Sequence, residues 1–195
     1  MPNIAYRNTD DPELADLVAT IRARRSTGKL LNLDRMLLHS PPFARGWNAM
    51  FAAIRNQLQV PRHINELAIC AVARLNNADY EWIQHAPEFL AAAGTQKQLD
   101  ALDDVTAACY DSALFNEQER AALRLTLDMT RQVQVRPEII ERARRIFGER
   151  QLVELIGTIA GYNMVSRFLE ALKLLGGDET KPSSASSLSC CGTGI

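Results

Sequence analysis

The chain has 195 residues, 47% hydrophobic and 23% charged, the balance of an ordinary soluble globular protein long enough to bury a sizeable core. Its 22 Lys and Arg against 23 Asp and Glu leave a net charge of -1, so no global field draws it to nucleic acid or to an anionic membrane surface. No apolar run reaches the roughly 18 residues a bilayer-spanning helix needs. The polar stretch from Met1 to Asp11 also lacks the basic start and apolar core of a secretory signal, and the expected location is cytoplasmic.

Helix signals recur along the chain, and alternating strand patterns are nearly absent. Asp11-Pro12 reads as an N-cap followed by proline in the first turn, opening an apolar periodicity at Leu14, Leu17, Val18 and Ile21 that predicts a helix to about Arg25. Gly28 breaks it, and Asn32 is placed to cap a short helix through Leu38. Ser40-Pro41-Pro42 restarts the chain into the apolar stripe of Phe43, Trp47, Met50, Phe51 and Ile54. Pro61 opens the next helix with Ile64, Leu67, Ala68, Ala71 and Val72. Asn76-Asn77 interrupts it before a helix from about Asp79 that Gly94 ends. Thr95 with Gln98, and Asn116 with Glu119, have capping-box spacing, the second ahead of a face with Leu123, Leu127 and Met129 or Thr130. Arg136-Pro137 begins another helix, stopped at Gly148. A long apolar helix then runs from about Gln151 to Leu175 before Gly176-Gly177. The fold class is all-α, a compact multi-helix bundle. Residues 1–177 form one helical domain, and the Ser-rich stretch 178–195 has too little apolar surface to offset ordering and reads as a flexible tail.

Candidate chemistry concentrates in Asp79-Tyr80-Glu81-Trp82-Ile83-Gln84-His85. On a helix, Glu81 and His85 lie one turn apart on the same face, the smallest arrangement that moves a proton near neutral pH. Tyr80 and Trp82 supply bulk to wall the pair from water. Glu66, on the preceding helix, is a second carboxylate that an antiparallel hairpin brings toward Glu81 and His85; by itself it also suits a first-turn acid complementing the helix dipole. Only His39, His63 and His85 exist in the chain, and their spacing matches neither the His-Glu-x-x-His zinc signature nor the Glu-x-x-His di-iron one, so no metal and no cofactor is expected. Cys70 and Cys109 fall inside apolar helical patterns and Cys190-Cys191 in the tail, which argues against a disulfide framework. The basic groups Arg22-Ala23-Arg24-Arg25 and Arg142-Ala143-Arg144-Arg145 read as solvated helix faces or subunit contacts.

Several segments together resemble the carboxymuconolactone decarboxylase and alkylhydroperoxidase (AhpD-like) superfamily. They are Glu66-Leu67-Ala68-Ile69, the run Ala78 to His85, Ala93-Gly94, the segment Ala160 to Phe168, and Leu38-His39-Ser40-Pro41 with Trp47. The family's peroxidase branch looks like a glutamate, a Cys-x-x-Cys pair and a histidine three residues on. Laid on this chain, Glu66 and His85 keep the relay positions, while Ala78 and Glu81 stand where the cysteines would be. That departure removes the nucleophile and argues against thiol peroxidase activity.

What the resemblance implies is a compact helical bundle assembling as a homotrimer or homohexamer and acting by acid/base chemistry on a small organic acid or lactone. His85 transfers the proton, Glu81 is its partner, and Glu66 tunes or relays. Tyr80, Trp82 and Tyr162 line the pocket, and Arg74 or Arg167 binds a substrate carboxylate. The alternatives are a peroxiredoxin-like activity through Cys70 or the tail cysteines, and a non-catalytic helical oligomer.

Overall fold

A computed structural model describes residues 1–25 and 27–174, and among these residues every regular element is helical. The Asp11 carboxylate accepts the Glu13 N–H at 3.0 Å and starts a 3-10 turn, Pro12–Leu14, that leads into α1 (Ala15–Arg24), whose inner face is Leu17, Val18 and Ile21. Helix α2 (Asn32–Leu37) begins at the residue expected to cap it, so the cap lies one residue earlier. Leu31 is the capping position, and the Asp34 carboxylate, not Asn32, takes its N–H at 2.8 Å. Helix α3 (Pro41–Asn56) has proline in its first turn and buries Trp47, Phe51 and Ile54, spaced as the stripe predicts.

Helix α4 (Arg62–Asn76) is buried on nearly all sides from Ile64 to Ala73 and packs against α5, α8 and α9, so it is the axis of the bundle. Asn77 turns it back in the left-handed conformation (φ 52°), a backbone state asparagine tolerates better than most residues, and α5 (Asp79–Ala91) returns alongside. Helix α6 (Gln96–Ala101) and α8 (Glu117–Gln132) both start on the predicted capping boxes. Thr95 Oγ1 accepts from Gln98 N at 3.2 Å, and Asn116 Oδ1 accepts from Glu119 N at 2.9 Å. Between them lies the short α7 (Val105–Ala108). Helix α9 (Pro137–Leu172) is kinked at Gly148 (φ 70°, ψ 173°), where the sequence predicts a stop between two helices. It ends at Leu172, with Lys173 left-handed (φ 51°), short of the expected end at Leu175; Gly176-Gly177 and the tail lie outside the described residues.

Two apolar clusters flank α4. One joins its Ile64, Ala68 and Val72 to α1, α2, α3 and α9. The other joins its Leu67, Cys70 and Leu75 to Phe89, Leu102, Phe115 and Leu123. The α3–α4 connection is pinned by Glu154 of α9, whose Oε2 accepts the N–H groups of Gln59 (2.6 Å) and Val60 (3.1 Å). Among the described residues no helix is long and apolar enough to cross a membrane.

Gly94 sits against the buried Phe89 ring, and a Cβ there would lie 2.3 Å from Phe89 Cε1, whereas a Cβ at Gly46, on the exposed side of α3, would meet nothing within 4 Å. Gly94→Ala is expected to lower the unfolding free energy by about 1–3 kcal/mol through overpacking. Gly46→Ala should raise it by about 1 kcal/mol through helix propensity. Urea unfolding of the two variants checks the opposite signs.

Candidate active site

Four helices meet at one buried imidazole. Glu66 on α4 and His85 on α5 lie about equally far from the Asn76-Asn77 reversal, so closing the hairpin brings them side by side. His85 Nδ1 and Glu66 Oε2 are 2.7 Å apart. Arg55 reaches in from the last turn of α3, its Nη2 2.9 Å from His85 Nε2 and its Nε donating to the Tyr162 hydroxyl at 3.3 Å. Tyr162 on α9 meets the imidazole edge to face, the ring centroids 5.0 Å apart at 88°. A guanidinium has no acceptor, so the 2.9 Å contact requires a lone pair on Nε2. The proton then sits on Nδ1, donated to the Glu66 carboxylate. His85 is thereby held as a base with its reactive nitrogen facing Arg55.

Glu81 completes the site from one turn back on α5, its Oε2 3.8 Å from His85 Nε2, buried and without a hydrogen-bond partner. Burial raises its pKa, against the opposing pull of His85 and Arg55. A carboxyl in that position holds its proton into the range where exposed glutamates have lost theirs. Burial likewise pushes the Tyr162 phenol up, so it meets Arg55 as a neutral hydrogen-bond acceptor.

Arg55, Glu81, His85 and Tyr162 border an inner cavity of about 30 Å³, walled by Trp47, Phe51, Tyr80 and Val165. That volume suits a single water. Beside it opens a vestibule of about 350 Å³, bordered by Glu66 and Gln84 and by the Arg24, Arg25, Arg55 and Arg62 side chains. Arg55 borders both spaces.

Of the residues expected at the site, Glu66, Glu81, His85, Tyr80 and Tyr162 come together. Trp82, Arg74 and Arg167 do not. The Arg74 guanidinium stacks 3.5 Å over the Trp82 ring and pairs with Asp103 at 3.2 Å, in a different surface recess. Exposed Arg167 donates to Asn163 O and Oδ1 on its own helix. The pairing is also corrected: Glu66, not Glu81, holds the ring at hydrogen-bond distance, because the i, i+4 relation places Glu81 beside Nε2 at 3.8 Å whereas the hairpin aims Glu66 at Nδ1. Arg24 and Arg25 are not a solvated face but are folded onto the buried Asp34, Arg25 bidentate at 3.0 and 2.6 Å. Arg55 escaped the sequence reading. Its register on α3, one turn after Phe51 and next to Ile54, is the signal that could have placed it near the core. Among the described residues no group of three or more His, Cys, Asp or Glu is set to hold a metal ion.

No protein-family model matches the chain, and no curated protein matches its sequence. Solved structures do match its fold. An uncharacterized peroxidase-related protein from Silicibacter sp. TM1040 superposes with a TM-score of 0.71 at 18% identity, over 86% of this chain and 87% of that one. The debrominase Bmp8, solved apo and as a cysteine-to-alanine variant with 2,3,4-tribromopyrrole, gives 0.71 at 17% identity, over 89% and 90%. A protein of unknown function from Agrobacterium tumefaciens, a candidate AhpD-type antioxidant defence protein, gives 0.64 at 17% identity, over 73% and 95%. The chain therefore has the all-α fold of peroxidase-related and AhpD-like proteins.

The raised Glu81 pKa has a signed consequence for stability. Its contribution is fully present below the ordinary glutamate value of about 4.3. Above that, the unfolded chain releases a proton that the folded one keeps, and stability falls by about 1.4 kcal/mol per pH unit until Glu81 ionises in the folded protein. Glu81→Gln should remove that slope. Urea midpoints measured from mildly acidic to neutral pH should converge for the two proteins at the acid end and separate as pH rises; parallel curves would contradict the buried neutral acid.

Proposed function

We propose that the chain is a carboxymuconolactone decarboxylase-like enzyme that moves protons on a small organic acid or lactone, without metal or cofactor. The observation that carries this reading is the Glu66–His85–Arg55 line: a carboxylate accepting from Nδ1 and a guanidinium donating to Nε2 keep the lone pair of a buried imidazole on Nε2, the nitrogen that acts as the base. In proton transfer next to a carbonyl, Nε2 takes the proton from carbon, the imidazolium is held by the Glu66 carboxylate, and the same N–H returns the proton at another carbon. In decarboxylation of a vinylogous acid, the departing carbon dioxide leaves its electron pair in the conjugated skeleton. A proton from the Glu81 carboxyl, or from a charged His85, quenches that pair at the far carbon. Tyr80 and Tyr162 shape the apolar wall. The same reading makes the chain a homotrimer or homohexamer.

A thiol peroxidase reading finds less support. Cys70 is fully buried and its thiol is pushed far up by burial, then by Glu66; burial takes Cys109 up to about 11. Neither is a thiolate at neutral pH, and a thiol is a poor nucleophile toward peroxide. Cys190 and Cys191 lie outside the described residues.

His85→Asn isolates the base, because the Asn amide nitrogen overlaps Nδ1 and still donates to Glu66 while Nε2 is deleted. Against a panel of small carboxylated lactones and vinylogous acids, it should fold as the parent does and lose about 10²–10⁴-fold in kcat. Cys70→Ser should keep turnover within about twofold, since a buried thiol contributes no chemistry. Full activity in His85→Asn sinks the proposal, and loss of activity in Cys70→Ser with the fold intact revives the thiol reading.

A further inference from the structure

The nitrogen that the proposed chemistry needs is covered. His85 Nε2 receives Arg55 Nη2 at 2.9 Å, and the inner cavity beyond it has room for about one water, so no substrate atom reaches the base while Arg55 stays where it is. Arg55 also differs from the other arginines of the vestibule. Arg25 is held bidentate by Asp34, Arg24 by Asn48 at 2.5 Å with Asp34 at 3.7 Å, and Arg62 by Glu88 at 2.5 Å. Among the described residues the direct partners of Arg55 are an imidazole and a phenol, with no carboxylate in contact. Its residue is exposed to the vestibule although its head touches a buried ring. A guanidinium bonded to a neutral acceptor gains by exchanging it for a carboxylate, which makes shorter, charge-assisted and bidentate bonds.

We propose that Arg55 is a displaceable cap on His85, and that a planar monocarboxylate entering the vestibule takes the Arg55 guanidinium from Nε2 and so uncovers the base. Anion binding and base activation are then one event. An uncharged analogue of the same shape leaves the cap in place, so the site selects for the acid over its amide. The vestibule, at about 350 Å³, lies at the lower end of the ~300–1,000 Å³ range of ligand pockets, which confines the ligand to a small molecule. Arg55 is thus a specificity-determining and positioning residue, and the inference rests on His85 being the base of the proposed reaction.

Competition between the anion and His85 for one guanidinium has a thermodynamic signature that needs no turnover. Calorimetric titration with sodium benzoate, and with benzamide as the uncharged control, is compared in the full-length parent, Arg55→Gln, Arg55→Lys and His85→Asn. Benzoate should bind and benzamide should not. Arg55→Gln should weaken benzoate at least about tenfold through loss of a charged hydrogen bond. Arg55→Lys, a point charge without the fork, should fall between. His85→Asn should tighten benzoate several-fold, because Arg55 no longer surrenders a bond. Unchanged or weaker affinity in a folded His85→Asn overturns the cap, as does unchanged affinity in Arg55→Gln. If His85→Asn does not fold, the ring ¹⁵N signal of Nε2 in the parent decides: benzoate must move it, and a saturating titration that leaves it fixed overturns the cap. A site that binds benzoate as described but turns over no acid would refute the acid/base reading and leave the cap standing.

Discussion

A 2.7 Å hydrogen bond between a carboxylate on one helix and an imidazole on the next organises the functional end of this bundle. It joins α4, the buried axis, to α5 across the Asn77 reversal, and it does so with both groups buried, where a lost partner is expensive. Because Arg55 can only donate at Nε2 and the Glu66 carboxylate accepts at Nδ1, the ring proton is committed to Nδ1 and the lone pair to Nε2. Everything else at the site follows from that choice: Arg55 can donate to Nε2, Tyr162 can stand edge-on to a fixed ring, and Glu81 finds itself beside a nitrogen that already has a donor, which leaves its buried oxygen without a partner.

The charges are arranged to make that commitment hold in a dry place. Two carboxyl groups and one guanidinium surround the ring, and burial raises the Glu81 pKa against the pull of His85 and Arg55, which disfavours a second anion beside Glu66. Arg55 supplies the compensating positive charge from the solvent side. The Arg55 contact with the ring is the one of these that borders both the inner cavity and the vestibule.

Much of this was legible in the residues. Helix starts with side-chain or proline signatures, at Asp11, Pro41, Thr95, Asn116 and Pro137, fell where the chemistry of free amides puts them. Glu66, Glu81 and His85 stand out in the sequence through the one-turn spacing of Glu81 and His85 and the antiparallel hairpin that returns Glu66 toward them. What the residues could not convey was aim. The i, i+4 spacing suggested Glu81 as the ring's partner, yet the hairpin register points Glu66 at Nδ1, and register depends on packing of α4 against three neighbours. Arg74 and Arg167 were plausible anion binders by proximity in sequence, but one stacks on Trp82 and the other bonds its own helix. Arg55 lay outside the motif altogether, and only the packing of α3 on α9, with Gly161 letting Phe51 and Ile54 approach, carries it to the ring.

The claim on which the rest stands is the direction of the His85 proton. Ring ¹H–¹⁵N correlation spectra of the ligand-free protein at neutral pH, with His85 assigned by its loss in His85→Asn, read it directly. The hydrogen-bond pattern requires a proton on Nδ1, shifted downfield by Glu66, and an unprotonated Nε2. A proton on Nε2, or on both nitrogens, would contradict it.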